Sequence, residues 1–127
     1  MLASINGSRP RRRSRALKLW LMFKVYGAGR IAAGVQRGIE LAELAQELIE
    51  RDPSWEVVTP AQLGIVTFTR PEWSAEAHAE RAAAISDDGY AAVTSTVLRG
   101  RTVLRLCTIN PRTTERDIAE TLRRLGA

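Results

Sequence analysis

The sequence is poor in reactive side chains: among 127 residues there is one cysteine, Cys107, one histidine, His78, and only two lysines, Lys18 and Lys24. A lone cysteine excludes an intramolecular disulfide and fits a reducing cytoplasm, and with only His78 to join it there is no zinc-ligand set. Long apolar runs are missing too. None approaches the ~18 residues of a membrane helix, so no membrane role is expected. The opening "MLASINGSRPRRRSR" has no apolar stretch on either side of its arginines, which gives no support to a secretory signal.

Acids are absent from residues 1–30, which hold eight Lys or Arg; the rest of the chain carries eleven bases against fourteen acids. The net charge of +5 is therefore local. Arg9, Arg11, Arg12, Arg13, Arg15 and Lys18 could neutralise phosphates, but no aromatic platform or DNA-reading motif accompanies them. A solvated arm or a subunit contact is the simpler reading, and no nucleic-acid partner is expected.

What remains is an ordinary globular composition, 45% hydrophobic and 26% charged, at a length that suits one compact domain. "ALKLWLMFKVY" (16–26) is almost continuously apolar, and its Leu, Met, Ala and Lys content favours helix over strand. From Ile31 to Ile49 apolar residues recur every three or four positions, with Glu40, Glu43, Glu47 and Glu50 on other faces, an amphipathic helix that ends near Asp52-Pro53. "WEVVTP" and "LGIVTFTR" read as strands separated by "PAQ". "PEWSAEAHAERAAAI" reads as a helix. "YAAVTSTVL" and "TVLRLCTI" form a hairpin about Gly100, and "TTERDIAETLRRLG" is a helix with Thr114 and Asp117 as a capping box and Gly126 as terminator. The predicted order α-α-β-β-α-β-β-α implies an α+β fold: a small, mostly antiparallel sheet with helices packed on it.

Gly27, Gly29 and Ala32 match the G-x-G-x-x-A spacing of dinucleotide-binding loops. That fingerprint needs a strand before it and an acid at a second strand end, and neither is present, so Gly27 and Gly29 read as a break between two helices. Arg105 is more informative, mid-strand between Leu104 and Leu106. Its planar fork matches a carboxylate, so a strand aiming it into a cleft would build an anion site; an edge-strand arginine reaching water or an acid satisfies the pattern equally well. His78, between Glu76 and Glu80, reads as a surface histidine, Cys107 as a small core residue, and Trp20, Trp55 and Trp73 as core or interface residues.

Three segments, "RRSRALKLWLMFKVYG" (12–27), "LGIVTFTRP" (63–71) and "LRGRTVLRLCTINPRTTERDI" (98–118), resemble in order and spacing the C-terminal small domain of the group II pyridoxal-phosphate-dependent amino acid decarboxylases, the aromatic-amino-acid and glutamate decarboxylase group of fold-type I enzymes. The resemblance covers nearly everything from about residue 11 onward. It implies a leader over 1–10, disordered or non-homologous, a helical arm over 11–52 and a C-terminal α+β domain over 53–127. It also implies that Arg105 binds the substrate carboxylate, and that the segment of Arg11 and Arg12 approaches the cofactor phosphate of the neighbouring subunit in a homodimer. The family carries pyridoxal phosphate on a large upstream domain, on a lysine that forms a Schiff base. Lys18 and Lys24 match no such role, so no catalytic residue is expected in this chain, which should be inactive alone and should need that large domain, a dimer partner and an amino acid substrate. A stand-alone carboxylate-binding or interaction module is the rival reading. In either case the "LKLWLMF" helix would leave an exposed apolar patch that favours association.

Overall fold

The computed structural model describes residues 15–127. The leader placed over 1–10, and Arg11 and Arg12, lie outside the described residues. Four helices and four strands follow in the expected order: α1 Arg15–Tyr26, α2 Ala28–Arg51, β1 Glu56–Gln62, β2 Ile65–Thr69, α3 Ala75–Asp87, β3 Val93–Leu98, β4 Arg101–Cys107 and α4 Glu115–Gly126. Described residues up to Ala32 group into one unit, and Ala33–Ala127 into a second.

In the first unit, α1 stops where its sequence runs into glycine. Gly27 takes a left-handed φ of 78° and donates its N–H to the Phe23 carbonyl at 3.0 Å. That conformation closes a helix at little cost only for glycine, so the glycine-rich loop is a helix break. No residue of α1 is buried.

In the second unit, both hairpins turn on an X-Gly pair with positive φ at both positions, Leu63 (48°) with Gly64 (84°) and Arg99 (50°) with Gly100 (78°). This is the two-residue turn whose twist matches that of its strands. The first hairpin was expected to turn at "PAQ"; instead Pro60, Ala61 and Gln62 extend β1. Pro60 is tolerated because β1 is an edge strand, and its pairing with β2 shifts register on either side of Thr59. Within this irregular stretch the Ala61 N–H bonds to the Gln46 side chain at 2.7 Å.

The sheet order is β1-β2-β4-β3, antiparallel throughout. Val66 lies opposite Leu106 and Phe68 opposite Leu104, so these four share one face. Against that face pack Leu41, Ala45 and Ile49 of α2, Ala82 and Ile85 of α3, and Ile118 and Leu125 of α4. Each fully buried large side chain contributes roughly 1.5–3 kcal/mol, against about 0–1 kcal/mol for an exposed ion pair. The apolar cluster, and not the ion pairs along α4, therefore holds this unit together. Thr108, just after β4, ties three elements: its N–H donates to the Gly64 carbonyl at 2.8 Å, and its buried hydroxyl lies 2.6 Å from the Gly38 carbonyl and 3.2 Å from that of Gly64.

Candidate functional site

Strand alternation places Arg101, Val103, Arg105 and Cys107 of β4 on the face opposite the apolar cluster. Arg105 stands at mid-sheet, opposite Thr67 on β2 and Thr94 on β3, and Thr67 in turn lies opposite Thr59 on β1. The Thr59 and Thr67 hydroxyls bond to each other. One row across the sheet therefore reads Thr59, Thr67, Arg105, Thr94. Arg101, Arg105, Cys107, Thr94 and Thr96 are all exposed there, while Val103 is buried between the two arginines.

The two arginines differ in how they are engaged. Arg101 holds the Glu56 carboxylate with two bonds, Nη1 to Oε1 at 2.9 Å and Nη2 to Oε2 at 3.0 Å. Those bonds hold the Glu56 carboxyl below its ordinary pKa and raise that of Arg101. Arg105 has no hydrogen-bonded or ion-paired acid among the described residues. An exposed guanidinium flanked by threonine hydroxyls on a rigid central strand suits a carboxylate, which accepts from the guanidinium fork and from hydroxyls together.

Two sequence readings need correction. Cys107, expected in the core, is exposed, because alternation puts it on the open face with Arg105. His78, expected at the surface, is 2% exposed. Its Nδ1–H donates to the Ser74 carbonyl at 2.8 Å, Nε2 accepts from the Arg70 N–H at 3.2 Å, and the Thr69 hydroxyl lies 3.0 Å from Nε2. The partners thereby fix the tautomer, and the ring ties the end of β2 to the first turn of α3. The signal was present in the sequence: His78, Ala82 and Ile85 are spaced four and three apart, the inward stripe of the helix that Ser74 caps.

A separate cluster surrounds Arg70, whose guanidinium lies 5.4 Å from the Trp55 ring and 5.1 Å from the Trp73 ring and reaches the Gly126 carbonyl at 3.4 Å. Arg70 Nε is buried without a partner among the described residues. A cavity of about 450 Å³ opens beside it, lined also by Asp52, Ser54, Leu48, Leu122 and Arg123. Reaching the carbonyl end of α4 from between two indoles, Arg70 acts as a packing and capping group. Of the three tryptophans, Trp55 is buried, Trp73 half-buried and Trp20, on α1, exposed.

Neither lysine stands in a site. Lys18 and Lys24 lie on α1, which buries nothing, and Lys24 sits 5.6 Å over the Trp20 ring. Among the described residues no group of three or more His, Cys, Asp or Glu is placed to hold a metal ion, and no helix is long and apolar enough to cross a membrane.

Known proteins share this sequence and fold. Residues 1–70 match the pyridoxal-dependent decarboxylase conserved domain. The chain is 39% identical over 123 residues to an aromatic-L-amino-acid decarboxylase of Bacillus atrophaeus, covering 91% of this chain and 26% of that protein. It superposes with a TM-score of 0.73 and 25% identity on Oryza sativa TDC solved with PLP and tryptamine, over 91% of this chain and 26% of that one. Mouse CSAD shares the fold at a TM-score of 0.76 and 22% identity, over 90% of this chain and 27% of that one. The chain thus spans about a quarter of the length of these relatives.

Proposed function

Because this chain belongs to the pyridoxal-dependent decarboxylase family, we propose that it serves as the small carboxylate-recognising domain of an amino acid decarboxylase. Such an enzyme converts an amino acid to an amine and carbon dioxide. Pyridoxal phosphate supplies the electron sink for that chemistry, but the residues present here do not fit it. A Schiff base needs a lysine inside a pocket, and both lysines lie on an unburied helix. The cofactor would be held by a larger domain outside the residues described here, and these residues by themselves would be inactive.

The observation that carries this reading is Arg105, exposed at mid-sheet beside threonines while its strand neighbour Arg101 is occupied by Glu56. Arg105 would bind and orient the substrate carboxylate. The same proposal includes a cytoplasmic homodimer in which Arg11 and Arg12 approach the cofactor phosphate of the neighbouring subunit.

Co-expression tests it. The Bacillus relative, shortened by the segment that this chain matches, would be produced with and without the chain and assayed for amine and carbon dioxide from aromatic amino acids. Restored turnover that depends on Arg105 is the expected result. Turnover by the chain alone, or stable association without restored activity, would overturn the reading. Calorimetric binding of amino acids by the isolated chain would instead favour a stand-alone carboxylate-binding module.

A further inference from the structure

Two opposite charges line the cavity beside Arg70 without meeting. Asp52, in the turn between α2 and β1, spends one carboxylate oxygen: Oδ1 accepts from the Ser54 hydroxyl at 2.7 Å and from the Ser54 N–H at 2.9 Å, while Oδ2 has no hydrogen-bond partner among the described residues. The hydroxyl bond, then the N–H bond, and after them the charge of Arg70 hold the Asp52 carboxyl below its ordinary pKa, so it is ionised at neutral pH. Arg70, at the end of β2, is held between the Trp55 and Trp73 rings and spends Nη1 on the Gly126 carbonyl. Its Nη2 is uncommitted among the described residues. The two charges are thus near enough to act on each other, yet no ion pair joins them, because Ser54 fixes one and two indoles fix the other.

The rest of the lining includes Leu48, Trp55 and Leu122, around a volume of about 450 Å³, within the roughly 300–1,000 Å³ of small-molecule sites. We propose that this cavity binds a small zwitterion with an apolar body, a free α-amino acid. Its ammonium would lie on Asp52 Oδ2, its carboxylate on Arg70 Nη2 and its side chain against Leu48, Trp55 and Leu122. Charge selects this class over its neighbours. A simple anion meets Asp52 and the carbonyl end of α4, both unfavourable to it, and a simple cation meets Arg70 and Arg123. A ligand that carries both charges on one carbon is matched at each. An internal residue of a peptide carries neither.

This inference does not rest on the enzymatic reading, which concerns Arg105 on the open sheet face; the cavity is lined from α2, the turn after it, the end of β2 and α4. The full chain, labelled with ¹⁵N, is titrated with L-phenylalanine, with phenethylamine, which lacks the carboxylate, and with 3-phenylpropionate, which lacks the ammonium. Amide resonances of Ser54, Arg70 and Gly126 should shift saturably with phenylalanine. Each of the other two compounds should bind about tenfold weaker or worse, the loss of one charge-assisted contact. Arg105→Ala should leave these affinities unchanged, which separates the cavity from carboxylate binding at the sheet face. Asp52→Asn keeps an acceptor for Ser54 but removes the charge, so the fold should survive while phenylalanine and 3-phenylpropionate become equal. No saturable shift, equal affinity of the wild-type chain for all three compounds, or shifts centred on Thr67, Thr94 and Arg105 that Arg105→Ala abolishes would each overturn the proposal. Only the last would at the same time support carboxylate binding by Arg105.

Discussion

Arg101 and Glu56 are joined by two bonds, 2.9 and 3.0 Å long, that reach over the intervening strand β2. The ion pair occupies one of the two arginines on the open face of β4 and leaves Arg105, two pleats further along, with its fork uncommitted among the described residues. A mixed-charge face would bind carboxylates weakly at either arginine. With Arg101 committed to an internal acid, Arg105 is the arginine to which the proposed function assigns the substrate carboxylate.

That division is testable in the reconstituted enzyme. Arg105→Lys should raise KM for the amino acid about 10–100-fold, the loss expected when a bidentate charge-assisted contact becomes a single point charge. Glu56→Gln should leave KM within about twofold, since it alters the neighbouring pair only. Steady-state kinetics on both variants, with the far-ultraviolet spectrum checked for folding, decide it; equal effects would remove the special role of Arg105.

His78 should matter for stability and not for chemistry, because its ring is buried and all its contacts are to the β2–α3 junction. His78→Leu keeps the volume but strands the Arg70 N–H, at an expected cost of about 1–3 kcal/mol. Urea denaturation of the chain measures this directly, and a neutral result would show that another group or water takes over that donor.

The order of elements, the antiparallel sheet, the second hairpin turn and the Thr114–Asp117 capping box were all legible in the sequence, because each depends on local rules: period, glycine at positive φ, side-chain caps. Positions fixed by alternation across a sheet were harder. In "VLRLC" the apolar flank of Cys107 reads as core, yet the odd residues of the run face away from the helices, so Cys107 is exposed while Val103 is covered. The first turn was misplaced because Pro60 resembles punctuation, although an edge strand accommodates it. His78 was misread by weighing its charged neighbours along the chain rather than its partners one turn away. The occupied state of Arg101 depends on its meeting Glu56, which is 45 residues distant in sequence, and no local pattern reveals it.

Leu63 carries a strain that can be removed. It is a branched apolar residue, 77% exposed, at φ 48° in a turn that favours Asn-Gly. Leu63→Asn should stabilise the chain by about 0.5–1 kcal/mol, since asparagine tolerates the left-handed region better. Gly64→Ala should destabilise by about 1–2 kcal/mol, because φ is 84° there, although an added Cβ would meet the Gly38 carbonyl and the Thr108 hydroxyl only at ordinary contact distance, 3.5 Å. Opposite signs from adjacent positions, read in one denaturation series, make a stringent check.

The largest part of the acid limb of stability should originate at α4, with Glu56, Asp52 and Glu76, also held below their ordinary values, adding to it. Asp117 is held below its ordinary pKa by bonds from the Thr114 backbone and then its hydroxyl, and Glu120 is lowered from 4.5 to about 2 by its bonds to Arg123 and then Arg124. Both are carboxyls whose pKa is lower in the folded chain than in the unfolded one. Their contribution is therefore complete above the unfolded values near 4 and is lost as pH falls through the folded ones. Melting temperature should be flat from pH 7 to about 5 and fall between about pH 4.5 and 2. Glu120→Gln should shrink that fall, and so should Asp117→Asn, which also weakens the cap. Both groups are half-buried at the surface and reachable by solvent, so about 1 M salt should reduce the Glu120 part, which is carried by ion pairs, more than the Asp117 part, which is carried by hydrogen bonds to the helix start. A fall that stays the same size in both variants would place the acid-sensitive groups outside α4.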